Sequence, residues 1–421
     1  MFAASKGLLR VSSPDSGPQR VEGLGFRPQA LVLWWSRQPL AGAARGNRGG
    51  LGFAAASGGQ SSVAWVSEDA ATPTRAQRWL EGDAILGFDS ADDRAPALRG
   101  RIVSFDEDGF TVGWLIRPIF PWLVNYLALG GDDLTHAAVL GLAASESGLQ
   151  AVTGIGFEPD CLMLVPTGIE RPGETAPGVL ASVGIATRTA CASVAFSSSD
   201  GVPVATVRGA QRTDAVVALP VPGTAEFGAL GRLISLDSDG FTLDWSLSGS
   251  EPRWMVGLAL KGGCFRLGAV VSPPQPRRQQ VVDVGFRPSG LLVFSWGLEP
   301  SREIKDIGRL CLGGASGPLI SGCSSWGDLR WAEPSSTHVR STEDALLEVM
   351  DTRSGGLHAQ AALEALDTEG FTLDWNIADS FRRQFVYLAL GSSVTVSNDA
   401  GTRLRLPVRR RLSERGRGSG N

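Results

Sequence analysis

Leu236-Asp237-Ser238-Asp239-Gly240-Phe241-Thr242-Leu243-Asp244-Trp245 decides the fold of this chain, because the same passage is written three times. Its counterparts run from Phe105 through Asp108-Gly109-Phe110-Thr111 to Trp114, and from Leu366 through Glu369-Gly370-Phe371-Thr372 to Trp375. Alternating apolar residues on both sides of an Asp-Gly or Glu-Gly step are the signature of a β-hairpin. Gly supplies the turn with positive φ, and the flanks supply two paired strands.

Working outward, each hairpin is preceded by a Gly-Phe-x-Pro entry, at Gly25-Phe26-Arg27-Pro28, Gly156-Phe157-Glu158-Pro159 and Gly285-Phe286-Arg287-Pro288. Each entry leads into an apolar run, Leu31 to Trp35, Leu162 to Val165 and Leu291 to Phe294. Such runs imply strands covered on both faces, or strands with one face covered by a neighbouring domain. Short alternating segments follow, Ser62 to Val66, Ala192 to Phe196 and, more weakly, Arg309 to Leu312; these read as half-buried strands. Each copy closes on an apolar strand, Tyr126-Leu127-Ala128-Leu129-Gly130, Gly257-Leu258-Ala259-Leu260 or Tyr387-Leu388-Ala389-Leu390-Gly391. A repeat spacing of roughly 130 residues lies far beyond solenoid periods, so whole domains are repeated.

The expected fold is therefore all-β: three tandem related β-sandwich, jelly-roll-like domains at 1–131, 132–262 and 263–393. Brief connections predict that the three pack together as a pseudo-threefold unit. Residues 394–421 read as a C-terminal hairpin followed by an Arg-rich arm. Gly 54 and Pro 24 in 421 residues disfavour long helices, and a hydrophobic fraction of 43% is enough for real cores.

The formal charge of −4 gives no global field for nucleic acid or membrane, and nucleic acid is not an expected partner. Residues 114–129 are largely apolar, yet Pro118 and Pro121 interrupt them and the other copies carry Glu251, Arg253, Arg382 and Arg383, so no membrane insertion is expected. Nothing at residues 1–10 has the apolar core of an export signal. The five cysteines fall at non-equivalent places without CxxC spacing, and buried free thiols are the expectation. Cys311 and Cys323 would face each other if residues 313–318 form a hairpin tip.

Catalytic and metal motifs are sparse. Asp106, Asp108, Asp237, Asp239, Asp367 and Glu369 resemble part of a calcium loop but lack the closing Glu, and the hairpin already accounts for them. His136, His338 and His358 are not repeat-equivalent. Asp244 and Asp374 match each other, but Gly113 occupies that place in the first copy, and solvent-facing strand positions explain them. No catalytic residue, metal or cofactor is indicated. What the copies share is scaffold; what diverges is more informative. The loop from Ile116 to Leu123 is apolar in the first copy and reads as polar in the others. Ile116, Ile119, Phe120 and Trp122 are therefore candidate interface residues, as are Arg409, Arg410, Arg411 and Arg415 in the arm.

The pairing of Gly-Phe-x-Pro-Asp with Ser-x-Asp-Gly-Phe-Thr resembles a repeat domain of tailed-bacteriophage virion proteins of the tail-fibre and tail-associated type. The second copy carries it best, at Gly156 to Asp160 and Leu236 to Thr242. Gln29 and Ser289 replace the Asp after Pro in the other two, and the family's Trp-Lys after that Pro is absent. The resemblance implies a non-enzymatic virion structural protein assembled in the host cytoplasm. Its partners would be other virion proteins and a host cell-surface glycan or protein. Two alternatives stand beside it: a capsid decoration protein at a threefold site, anchored by the Arg-rich arm, and a carbohydrate-binding or carbohydrate-active protein.

Overall fold

The computed structural model describes residues 1–13, 17–38, 42–144, 146–247, 254–299 and 303–392. Every regular element among these is a β-strand, and all the sheets are antiparallel. The expected C-terminal hairpin and arm lie outside the described residues.

The first sandwich has a large inner sheet in the spatial order Ala3–Val11, Trp122–Gly130, Pro28–Ser36, Asn47–Ala55, Gln60–Ser67, Ala76–Glu81. A four-stranded outer sheet, Gln19–Val21, Gly109–Ile116, Leu98–Asp106, Ile85–Gly87, covers one of its faces. The same two strand orders recur twice. In the second sandwich the inner sheet runs from His136–Ala143 to Val207–Arg212, and in the third from Cys264–Val271 to Thr337–Thr342.

Each recurring passage forms the expected hairpin, with Asp106 opposite Gly109, Asp237 opposite Gly240 and Asp367 opposite Gly370. The reason for glycine differs from the sequence expectation. Of the three only Gly240 has a positive φ, at +155, and neither Gly109 nor Gly370 adopts one. A Cβ at any of the three would instead collide with the carbonyl oxygen of Val21, Val152 or Val281. Glycine is required here by the close approach of another backbone.

The apolar entry strands are covered on both faces, and the period of two assigns each side chain to a different core. Leu31, Leu33 and Trp35 face the first sandwich interior, whereas Ala30, Val32 and Trp34 face a core shared by all three sandwiches. Leu162 and Leu164 are divided from Cys161, Met163 and Val165 in the same way, and Leu291 and Val293 from Leu292, Phe294 and Trp296. Fully burying such side chains is worth about 1.5–3 kcal/mol each, so the shared core ties the three sheets strongly.

The alternating segments are not half-buried. Strands Gln60–Ser67 and Cys191–Ser198 are buried on both faces, with Val63 and Trp65 in the shared core and Ala64 and Val66 in a core of their own sandwich. In Gln60–Ser67 small serines make this workable by bonding to nearby carbonyls, Ser61 donating to Glu81 at 2.8 Å and Ser62 to Asp83 at 2.7 Å, whereas the Ser193 and Ser197 hydroxyls of Cys191–Ser198 are buried without a partner among the described residues.

The sandwiches also exchange backbone. Thr175–Pro177 of the second extends the inner sheet of the first by pairing with Ala76–Glu81. Gly42–Arg45 of the first pairs with Thr337–Thr342 of the third. Lys305 of the third exchanges N–H···O bonds of 2.8 and 2.9 Å with Gly209 of the second. Each sandwich thus lends the same loop to the next sandwich's far strand, which covers edges that would otherwise be open to foreign strands.

Candidate interaction surface

Strand direction sorts the loops into two ends. Pro28–Ser36 pairs with Trp122–Gly130 so that Ser36 meets Leu123 at one end and Pro28 meets Gly130 at the other. The turn after Ser36 and loops 68–75 and 117–121 therefore share an end, while Met1 and the exit of the third sandwich at Ser392 lie at the opposite one. Phe2 donates its N–H to Ser392 at 2.7 Å, and the N-terminal ammonium lies 3.1 Å from Asp133.

At the centre of the loop end, three equivalent loops interlock. Ala70 donates to Ser335 at 2.7 Å and Ser335 to Ala71 at 3.0 Å. Gly201 donates to Thr74 at 2.8 Å and Thr74 to Val202 at 2.9 Å. Trp331 donates to Ala205 at 2.9 Å and Ala205 to Ala332 at 3.1 Å. Ala70, Gly201 and Trp331 are equivalent residues and all have positive φ, at 57, 69 and 63°.

The candidate residues from the sequence divide. Ile119 is 82% and Phe120 54% exposed, and Ile116 is half-buried at the end of its strand. The Arg37 guanidinium lies 4.4 Å above the Phe120 ring and is itself held by Asp89 at 2.8 Å. Burial raises the Asp89 pKa, against the pull of Arg37 and Arg48.

Trp122 is a correction: it is fully buried as the first residue of its strand and packs its ring where Gly87 leaves room. Its counterpart Arg383 is buried too, donating to the Gly297 carbonyl at 2.8 Å. The apolar-to-polar difference at this position marks two ways of filling an interior site. Arg409, Arg410, Arg411 and Arg415 lie outside the described residues.

Two exposed aromatics escaped the sequence reading. Phe381, 67% exposed, stands where Phe120 does, midway through the matching Trp-to-Tyr interval with one polar neighbour on each side, and Arg383 approaches its ring at 5.6 Å. Trp331, 64% exposed, lies in a loop whose length matches its counterparts, so aligning the copies would have shown Trp where the others have Ala70 and Gly201.

The remaining polar candidates are engaged in structure. Asp106, Asp237 and Asp367 accept hydrogen bonds from Thr111, Thr242 and Thr372 at 2.8, 2.8 and 2.7 Å; the bond from Thr111 holds the Asp106 carboxyl below its usual range, and bonds from Ser235 and then Thr242 do the same for Asp237. Among the described residues no cluster of three or more His, Cys, Asp or Glu side chains is arranged to hold a metal. Asp244 and Asp374 sit on different outer sheets and do not come together. The five cysteines are unbonded; Cys311 and Cys323 lie on adjacent strands of one hairpin, and burial followed by a hydrogen bond with Cys311 pushes the Cys323 thiol up. Among the described residues no helix is long and apolar enough to cross a membrane.

No protein-family model matches the sequence, and no curated protein matches it either.

Proposed function

We propose that this chain is a non-enzymatic structural protein of a bacteriophage virion, tail-associated, with its loop end turned to the host surface. The observation that carries the reading is the direct bond between the two motifs of the resemblance. In the first two copies the Asp of Asp-Gly-Phe-Thr receives the backbone N–H groups of the Gly-x-Gly-Phe entry, so the shared residues are spent on scaffold. The cyclic exchange of loops adds support, since one chain built as a pseudo-threefold ring suits a threefold or sixfold particle position. The ring leaves its loop end free to diversify sandwich by sandwich.

Immunogold labelling of purified particles with an antibody against this chain tests the reading. Label on the tail is expected; particles without label overturn it. Label over capsid threefold sites would favour a second reading, a decoration protein, for which the common end of Met1 and Ser392 is the supporting observation. Deleting residues 407–421 would then abolish particle binding, whereas a tail-borne host binder would stay attached.

A further inference from the structure

We propose that Trp331 and the groove beside it form a binding site for a neutral oligosaccharide, which rests on the host-surface reading above. Trp331 sits on a strained backbone. An L-residue with a large side chain at positive φ costs about 1–2 kcal/mol, and the other two corners of the interlocked ring hold Ala70 and Gly201 there. Burial does not compensate, because the indole is 64% exposed. Nothing in the fold calls for tryptophan at this corner.

The ring is nevertheless held firmly. Its backbone is pinned by the paired bonds between Trp331, Ala332 and Ala205. Arg330, which replaces Asp69 and Asp200 of the other copies, lies 3.9 Å from the ring centroid. Arg330 is in turn paired with Asp306, whose other oxygen accepts from Arg208 at 2.6 Å. A fixed, solvent-facing aromatic surface loses little entropy on binding.

Asp306 also lines an open groove of about 720 Å³ whose walls include Trp296, Leu298, Glu299, Lys305 and Arg382. Apolar floor, carboxylates and cationic donors stand together there, as a polyhydroxylated ligand with an apolar C–H face requires. The charges identify the class further. Lys305 pairs with Glu303 at 2.5 Å, Arg382 with Glu299 at 3.5 Å, and Arg330 and Arg208 share Asp306, so among the described residues each of these cations already faces a carboxylate, which favours a neutral ligand over a phosphate or an acidic sugar. A hydrophobic peptide would need a contiguous apolar patch of some hundreds of Å², whereas Trp331 is flanked by Arg330, Glu333 and Ser335.

The experiment applies the fluorescently labelled full chain to an array of neutral and acidic oligosaccharides, then titrates any glycan that binds. Binding to at least one neutral glycan is expected. It should weaken tenfold or more in Trp331→Gly, persist largely in Trp331→Phe, and be unchanged in Leu149→Ala, an exposed position on the outer sheet of the second sandwich. Trp331→Gly relieves the strained φ, so its unfolding midpoint should equal or exceed that of the parent, which separates lost binding from lost folding. A blank array, binding confined to acidic glycans, or binding that survives Trp331→Gly overturns the proposal. The outcomes are separable from the virion test: labelled particles with a blank array sink only this site, and glycan binding by a chain absent from particles sinks only the virion reading.

Discussion

The Asp239 carboxylate accepts the backbone N–H groups of Gly154 and Gly156 at 3.0 and 2.6 Å, and its carbonyl accepts Ile155 at 3.3 Å. Asp108 holds Gly23, Leu24 and Gly25 in the same way. In the third sandwich Glu369 uses its carbonyl toward Val284 and Gly285. The Gly-Phe entry and the hairpin turn, far apart along each copy, are therefore one structural joint.

Asp239→Ala leaves two backbone donors without their charged acceptor. We expect a loss of about 1–2 kcal/mol, in the range of a removed helix cap or charged hydrogen bond. Urea denaturation measures it; a change within error would mean the joint contributes nothing to stability.

Gly184 lies against the Val216 carbonyl so closely that a Cβ would collide with its oxygen, as would one at Gly52 with Ala84 and at Gly313 with Leu346. Gly184→Ala is expected to cost about 2 kcal/mol or more through forced backbone displacement. Gly82→Ala, with open space around its Cβ and no positive φ, should be nearly neutral in the same denaturant titration.

Arg78 is buried at the seam between the first two sandwiches. Its Nε donates to Thr167 at 2.7 Å, Nη2 to Gly168 at 2.8 Å, and Nη1 to Gly178 at 3.1 Å and to Pro177. Arg78→Met orphans these carbonyls, and a loss of about 3 kcal/mol or more is expected. Arg78→Lys should recover only a small part, because an ammonium cannot span the four acceptors. Full recovery by lysine in thermal unfolding would contradict this.

Lys6 enters the seam between the first and third sandwiches, where its equivalents are Val139 and Leu267. Its Nζ donates to Ser321 at 2.9 Å, and desolvation, opposed by Glu343 and Cys323, lowers its pKa to about 8. The unfolded chain holds this proton up to about pH 10.4, so it binds more protons than the folded chain between the two values. Stability from this group therefore rises with pH from about 8 to 10.4, and below 8 the buried charge is a cost. Lys6→Met should raise stability at pH 7 by about 1–3 kcal/mol and remove that rise. Chemical denaturation of both chains at pH 7 and pH 10 checks the sign.

The strands, hairpins and all-β class were legible because they rest on local pattern: period two, Asp-Gly turns and glycine-rich connections. The exposure of Ile119 and Phe120 was legible for the same reason, as they sit between two prolines in a loop. Trp122 was not, since whether the residue after Pro121 faces water depends on Gly87, distant in sequence, leaving a space for its ring. The serine alternation misled because a hydroxyl bonded to a carbonyl, as at Ser61 and Ser62, is as comfortable inside as a wet one outside, and because Ser193 and Ser197 are small enough to be buried among apolar neighbours.

By itself the sequence determined which segments become strands and where they turn, since those choices are set by neighbours a few positions away. Only the tertiary structure decided which face of each strand meets which core, why the hairpin glycines are required, and which corner of the interlocked loops carries the exposed tryptophan. These follow from contacts between sandwiches, where backbone approach and shared burial act between residues that no local pattern connects.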